Sequence, residues 1–225
     1  MVLWGSLVNA IAIILGTTLG LIISLKENLK TTVMHALGLT VIVIGLKMGF
    51  LSENILIPIA SLVLGSIVGE KLKVEDRIVS VGRIFEKHFK SQKGGITEGF
   101  LTATLVYCVG AMAVVGALDS GLMHNHDVLY AKSMLDGISA IFFASSFGIG
   151  VAFSAIPVFL YQGGIALLAT TLAPILNDAV VGEMTATGGI LIFGIGINML
   201  GLTKISIGNM LPSLVFAVVL SSIFL

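Results

Sequence analysis

The chain has 225 residues, of which 56% are hydrophobic and only 11% are charged, and its mean hydropathy is +1.10. Soluble domains carry about 25% charged residues, so this composition excludes an ordinary water-soluble globule. Lys plus Arg balance Asp plus Glu at twelve each, which leaves no net positive charge for binding nucleic acid. The single cysteine, Cys108, excludes an intrachain disulfide and a cysteine-based zinc site. The composition therefore predicts an all-α bundle that crosses a lipid bilayer several times.

Seven apolar runs are long enough to hold membrane spans, since a helix needs about 20 apolar residues to cross a hydrocarbon core about 30 Å thick. In chain order the runs are 5–24, 33–50, 55–70, 99–118, 133–176, 184–201 and 208–225. The 133–176 run would be about 66 Å long as one helix, so it must fold back. We expect the corner between Gly148 and Pro157, with Ser154 as a helix N-cap and Pro157 in the first helical turn. The prediction is eight spans, or seven with a re-entrant segment within 133–176.

The basic residues sort between alternate loops. Ten of the twelve fall on one side of an eight-span bundle, whereas Lys47 and Lys132 fall on the other. Loops rich in Lys and Arg face the cytoplasm, so both chain termini are predicted to be extracytoplasmic.

Residues 71–95 form the longest polar segment, and they fall on the predicted cytoplasmic side. Within 72–93, apolar residues recur at helical spacing and basic residues occupy the other faces. The apolar positions are Val74, Ile78, Val81, Phe85 and Phe89. Two interpretations stay open: the segment lies as an amphipathic helix on anionic lipid, or it extends the third span and packs on another subunit.

An internal repeat is indicated by residues 37–50, which align without gaps with residues 188–201. The identical pairs are Gly38/Gly189, Ile44/Ile195, Gly45/Gly196 and Met48/Met199, and the flanking pairs are Gly16/Gly163 and Pro58/Pro212. Residues 1–70 are thus predicted to be one three-helix repeat and 153–225 a second, with two spans in 96–152 between them. Five span steps separate the repeats, so they run in opposite directions, as in many secondary transporters.

Polar side chains inside apolar runs are the candidate functional residues, because lipid penalises them unless they are paired or face water. Asp136 is the clearest of these, and it lies about one turn inside the predicted fifth span. Its carboxylate is suited to hold a cation or a proton, or alternatively to pair with Lys132 at the headgroups. Asn9 and Gln162 are deeper amides, which serve either as uncharged ligands or as hydrogen-bonding contacts between helices.

Two further candidates occupy equivalent positions in the repeat. Lys47 lies near the outer end of the second span, and its partner by alignment is Asn198, near the inner end of the seventh. Asn198 is suited to offer an amide oxygen to an ion or to join helices. The alternative for Lys47 is an interfacial lysine that extends to the headgroups.

Small residues spaced four apart predict close helix crossings, within one chain or between copies in a homo-oligomer. They are Gly16, Gly20, Gly45, Gly49, Gly65 and Gly69. The loop between spans four and five carries His124 and His126, which are candidate metal ligands. No separate ligand cluster accompanies them, so no metal site is predicted. The sequence also offers no nucleophile–base pair and no cofactor motif, so neither an enzyme nor a cofactor is expected.

Four segments of the chain carry a family resemblance: Gly5–Gly16, Leu135–Gly137, Gly150–Gly163 and Gly194–Asn198. They resemble the YdfK/YqgA-type prokaryotic membrane proteins, and the resemblance extends over essentially the whole chain. It implies a multi-pass protein of the plasma membrane in a family without an assigned function, and it supplies no site residue.

The leading functional hypothesis is a secondary transporter or channel for a small ion or polar solute. Its site would lie where the first, fifth, sixth and seventh spans meet, with Asp136 as the charged group and Asn9, Gln162 and Asn198 as uncharged ligands. The competing hypothesis is a membrane scaffold or regulator that does not transport and that acts through residues 72–93.

Overall fold

The computed structural model describes residues 1–22, 27–80 and 96–225, and within these ranges the regular structure is helical, with no strand. Residues 74–80 continue in helical conformation after the third helix. The remainder of the predicted amphipathic segment 72–93 lies outside the described residues, as do most of its basic side chains.

Twelve helices have both ends within the described ranges. They are α1 (Trp4–Ile22), α2 (Glu27–Gly49), α3 (Leu56–Leu72), α4 (Ile96–Cys108), α5 (Ala111–Leu122), α6 (Asp127–Phe147), α7 (Gly150–Phe153), α8 (Ala155–Leu167), α9 (Ala169–Leu172), α10 (Asp178–Met199), α11 (Ile207–Met210) and α12 (Ser213–Phe224). Six stretches of the described chain are long and apolar enough to cross a membrane, and α4 with α5 make a seventh if the bent pair counts as one span. The chain is therefore a multi-helix membrane protein.

The 133–176 run folds back as predicted, at Gly148. This residue has φ of +76°, a left-handed backbone that glycine adopts without steric penalty, and it separates α6 from α7. Pro157 lies in the first turn of α8. Ser154 occupies the N-cap position of α8 as predicted, but its side chain does not cap the helix. Its backbone is helical, and its hydroxyl donates to the Val151 carbonyl at 2.7 Å instead of accepting from a following N–H.

The fourth apolar run differs from the expected straight span. Helices α4 and α5 meet at an angle of 62°. The break lies at Val109 and Gly110, and Gly110 has φ of +135°. The hydrogen-bond ladder resumes only where the Ala113 N–H donates to the Gly110 carbonyl at 3.1 Å. The residues before and after the break are mostly apolar, so the sequence pattern gives no sign of this interruption.

The described chain divides into two compact units, each built from two stretches. Unit 1 comprises Met1–Thr31 and Gly82–Pro174, and α1 packs along α6 within it. The close approaches, in order, are Gly5 with Leu129, Gly16 with Gly137, and Gly20 with Ile141. Both partners advance in the same direction, so α1 and α6 are parallel. The absence of a side chain at Gly16 and Gly20 is what permits this approach, because a Cβ there would collide with the α6 backbone.

Unit 2 comprises Thr32–Val81 and Ile175–Leu225. Here α2 packs on α10 in the antiparallel direction, since Gly38 lies against Gly196 and Gly45 against Gly189. Helix α3 likewise packs antiparallel to the α11–α12 segment. Its close approaches are Gly65 with Ser213 and Gly69 with Asn209. The glycines singled out by spacing thus lie at helix crossings within one chain. Gly49 also lies at the α2–α10 crossing, where its backbone faces Gly189, but a Cβ added at Gly49 itself would meet only the Ile190 side chain at 3.7 Å.

Candidate functional site

The centre of unit 1 contains a buried ion pair on α6. The Lys132 ammonium lies 3.0 Å from both carboxylate oxygens of Asp136. The two residues are four apart in sequence, so they occupy adjacent turns of one helix face. Their side chains are only 8% and 7% exposed. A buried pair of this kind persists only where further hydrogen bonds satisfy its remaining polar atoms.

Two amides from other helices extend the pair into a four-residue cluster. The Asn9 side chain on α1 donates from Nδ2 to Asp136 Oδ2 at 2.9 Å and to Gln162 Oε1 on α8 at 3.2 Å. Both amide side chains are fully buried. The parallel crossing of α1 and α6 brings Asn9 beside Asp136, because Gly16 lets the two backbones approach closely. The structure thus brings together three of the predicted site residues, which are separated by up to 153 positions in sequence.

The cluster lies deeper along its helix than the sequence indicated. Helix α6 begins at Asp127, six residues before the predicted start of the fifth span, so Asp136 is the tenth of its 21 residues. It is about 14 Å from the helix start at 1.5 Å per residue. Asp136 does pair with Lys132, as the alternative interpretation of this residue had it, but the pair lies close to the middle of α6.

One atom of each amide is left without a partner among the described residues: Oδ1 of Asn9 and Nε2 of Gln162. A buried polar atom without a hydrogen bond costs about 1–3 kcal/mol. The cluster therefore retains one unused acceptor and one unused donor.

The break between α4 and α5 is connected to the same cluster. The Ser139 hydroxyl on α6 lies 3.0 Å from the Asp136 carbonyl and 3.3 Å from the Tyr107 hydroxyl. Tyr107 is fully buried one residue before the end of α4. Helix ends leave backbone groups without intrahelical partners, and interrupted helices of this kind form the binding sites of many transporters.

Asn198 and Lys47 belong to unit 2 and have different surroundings. The Asn198 amide donates to the Ile205 carbonyl at 2.8 Å and accepts from the Ile205 N–H and the Thr203 hydroxyl, each at 2.9 Å. It therefore holds the turn that follows α10. The Lys47 side chain is exposed near the end of α2.

Comparison with known proteins identifies the family. Residues 4–222 match the family described as "protein of unknown function (DUF554)". The chain belongs to the DUF554 family. It is 31% identical over 220 residues to the "uncharacterized membrane protein YdfK" of Bacillus subtilis, covering 94% of this chain and 93% of that protein. It is 27% identical over 225 residues to the "uncharacterized protein YqgA" of Escherichia coli, covering 97% and 96%. The predicted family is thus confirmed, and no solved structure matches the chain.

This DUF554 member contains a second buried carboxylate, Glu183 on α10, which the sequence analysis missed. Only 1% of the residue is exposed. Its oxygens accept from the Ser52 hydroxyl at 2.7 Å and from the backbone N–H groups of Glu53 and Asn54 at 2.8 and 2.9 Å. The predicted span began at residue 184, whereas α10 begins at Asp178. Extending the apolar run by one residue would have placed Glu183 among the candidates.

The loop histidines of this DUF554 member do not form a metal site in the described residues, which contain no group of three or more His, Cys, Asp or Glu side chains placed to share an ion. Instead His126 Nδ1 lies 2.8 Å from the Ser120 hydroxyl, and its ring packs near Tyr130 with centroids 5.9 Å apart. Partial burial lowers the pKa of His126 below its usual value, and the nearby positive charges of the chain N-terminus and His124 add to the effect.

Proposed function

We propose that this DUF554 member is a secondary transporter or channel that carries a small ion or polar solute across the plasma membrane. The observation that carries the proposal is the cluster of Lys132, Asp136, Asn9 and Gln162, buried near the middle of a helix in a multi-pass membrane protein. Ionisable groups in such positions are costly and mark solute pathways by default.

A purely structural role explains the cluster less well. Replacing a buried ion pair by apolar residues of similar volume is often neutral or stabilising, so packing alone does not call for Lys132 and Asp136. A structural cluster is also expected to use its hydrogen-bonding groups, whereas Asn9 Oδ1 and Gln162 Nε2 are unused among the described residues. The adjacent break at Gly110 supports a site that binds and releases a solute.

We further propose that residues 1–70 and 153–225 are inverted-topology repeats. The alignment pairs Gly38 with Gly189 and Gly45 with Gly196. Gly38 is in close contact with Gly196. When each of these two residues is replaced by its equivalent in the other repeat, the pair becomes Gly189 and Gly45, which are also in close contact. This exchange is the relation expected of two helices related by a two-fold axis.

A second pair of contacts in unit 2 follows the same rule. Ile42 contacts Gly196. The equivalents of these residues in the other repeat, Phe193 and Gly45, are also in contact. Each proposed repeat supplies its first span to unit 1, as α1 in the first repeat and as α8 with the short α9 in the second, and its later spans to unit 2.

The proposed bundle has eight spans, with α3 as the span additional to the seven that length and composition indicate. Helix α3 has 17 residues and is about 26 Å long, near the thickness of a hydrocarbon core. Eight spans require α1 to be parallel to α6 and α2 to be antiparallel to α10, and these directions agree with the packing within each unit. With the basic loops in the cytoplasm, both termini are extracytoplasmic.

The proposal is tested by flux into proteoliposomes that contain the purified protein. The probes are sodium, potassium and protons, detected with ion-sensitive dyes, and urea, acetamide and glycerol, detected by stopped-flow light scattering. We expect at least one probe to enter more than tenfold faster than into protein-free liposomes, and Asp136→Asn to abolish that entry. Equal rates with and without protein for every probe would contradict the proposal for these solute classes.

Because Asp136→Asn leaves the Lys132 charge unpaired, the double variant Lys132→Met/Asp136→Asn provides a folded comparison without either charge. Its flux is also expected to be lost. Lys47→Met is the matched control for removing a lysine charge, since Lys47 is exposed in the other unit, and it should retain the wild-type rate. Wild-type flux in the folded double variant would show that the cluster is not part of the transport pathway.

A further inference from the structure

The orientation of both amides in the cluster is fixed by the ion pair. An ionised carboxylate only accepts hydrogen bonds, so the Asn9 atom beside Asp136 Oδ2 must be the nitrogen, and the Asn9 oxygen points elsewhere. The same Asn9 nitrogen donates to Gln162 Oε1, which places the Gln162 nitrogen at the free end. Lys132 and Asn9 thus both donate to Asp136, and Asn9 also donates to Gln162.

Among the residues that the structure describes, this hydrogen-bond network leaves one free acceptor, Asn9 Oδ1, and one free donor group, Gln162 Nε2, on two amides that are hydrogen-bonded to each other. Both residues have 0% exposure. A ligand that satisfies both atoms must itself donate one hydrogen bond and accept another. A hydroxyl group and a primary amide each do so, whereas a bare metal cation only attracts acceptors and a simple anion only accepts.

The charge of the cluster leads to the same ligand class. Lys132 and Asp136 neutralise each other at 3.0 Å, and α1 contributes no ionisable side chain, while α8 contributes only Tyr161. An ion entering this neutral, buried cluster would add a charge without a counter-charge, which is strongly unfavourable in a low-dielectric interior. An uncharged polar molecule meets no such penalty.

Resting on the proposed transport function, we infer that Asn9 and Gln162 form the binding site for a small uncharged solute that carries a hydroxyl or primary amide group. The donor of the solute binds Asn9 Oδ1, and its acceptor binds Gln162 Nε2. Asp136 acts as a positioning residue that fixes the Asn9 amide, and Lys132 pairs with Asp136 at 3.0 Å and holds its carboxylate in place.

The inference is tested by the selectivity of flux in proteoliposomes, and this measurement on the wild-type protein needs no variant to fold. Urea, acetamide and glycerol are compared in stopped-flow light scattering with sodium, potassium and chloride salts of equal osmolarity. We expect at least one of the three uncharged probes to enter more than tenfold faster than into protein-free liposomes, and the salts to enter at the protein-free rate.

The variant Gln162→Met locates the site, because methionine has a similar length and shape but no hydrogen-bonding amide. It leaves the contacts among Lys132, Asp136 and Asn9 intact, and it should lower the flux of the uncharged probe at least tenfold. Ser145→Ala is the matched control, since this exposed α6 hydroxyl donates only to the Phe142 carbonyl of its own helix. It should retain the wild-type rate.

The outcomes separate this inference from the proposed function. Flux of salts without flux of uncharged probes would overturn the inference and leave a transporter of ions. Flux of uncharged probes that is unchanged in folded Gln162→Met would overturn the assignment of the site. Absence of flux for every probe would overturn both.

Discussion

The two units each bury a carboxylate inside a membrane helix, and they use it differently. In unit 2, Glu183 accepts from a hydroxyl and two backbone N–H groups of the turn before α3. In unit 1, Asp136 is bound by a lysine and an amide, and the amides beside it retain an unused acceptor and donor. The first arrangement fixes one turn of the chain, whereas the second keeps hydrogen-bonding capacity for another molecule. Both carboxylates are buried, so burial alone does not distinguish the two arrangements. They differ in the number of neighbouring buried polar atoms that lack a hydrogen-bond partner.

The largest expected effect on stability is that of Asp136→Asn. Removing one member of a buried ion pair leaves the other charge uncompensated, at a cost of about 3–5 kcal/mol. Thermal unfolding in detergent should therefore begin well below the wild-type temperature. The double variant Lys132→Met/Asp136→Asn should recover most of the loss. A double variant as unstable as Asp136→Asn would mean that the ion pair stabilises the fold. The buried charges of the two units would then both be structural.

Glu183→Ala should come next, with a loss of about 2–4 kcal/mol, because it leaves three donors of the turn before α3 without their acceptor. Glu183→Gln keeps one carbonyl oxygen for the backbone N–H groups and should recover part of this loss. Both are measured by the same unfolding experiment. The flux per folded molecule of both variants should equal that of wild type. A loss of flux in Glu183→Gln without a loss of stability would mean that Glu183 takes part in transport.

A smaller effect is expected from Gly45→Ala, since its Cβ would collide with the backbone of Phe193 on α10. Overpacking of this kind costs about 1–3 kcal/mol. Gly49→Ala is the matched control one turn away, because its Cβ would meet only the Ile190 side chain at ordinary contact distance. Equal melting temperatures for the two variants would mean that α2 and α10 pack less closely than described.

The smallest effect concerns pH and Glu75 of unit 2, which follows α3. Burial raises the pKa of the Glu75 carboxyl, although hydrogen bonds from Gly208 and Asn209 lower it in part. The folded state thus holds this proton more tightly than the unfolded state. Its contribution to stability is complete below the unfolded pKa of about 4.5 and is lost as the pH rises through the folded pKa. Glu75→Gln should weaken the dependence of the free energy of unfolding on pH in this range. An unchanged dependence would mean that other groups cause it.

Sequence reasoning identified the membrane class, the family and the fold-back at Gly148, because apolar run length and glycine conformation are local properties. It also named Asn9, Asp136 and Gln162, since polar side chains are conspicuous in apolar runs, and placed them together with Asn198 where the first, fifth, sixth and seventh spans meet. The first three do meet, and the close α1–α6 crossing that brings Asn9 to Asp136 is permitted by Gly16. The break at Gly110 was missed because glycine is common in unbroken membrane helices.

Two other differences also have local physical causes. The Ser154 hydroxyl was expected to cap α8, but the chain enters α8 in a helical backbone conformation, so the hydroxyl reaches back to the Val151 carbonyl. Asn198 was expected to serve as a ligand, yet its amide is engaged by the turn at Thr203 and Ile205. Neither outcome is encoded in residue type, because both depend on where a nearby turn places its backbone groups.

We propose that the cluster in unit 1 is the solute site, whereas Glu183 in unit 2 is structural. The most direct measurement is the initial flux per folded molecule of Lys132→Met/Asp136→Asn and of Glu183→Gln, in proteoliposomes made side by side with wild type. We expect at least a tenfold loss in the double variant and the wild-type rate in Glu183→Gln. Wild-type flux in the double variant, or a selective loss in Glu183→Gln, would contradict it.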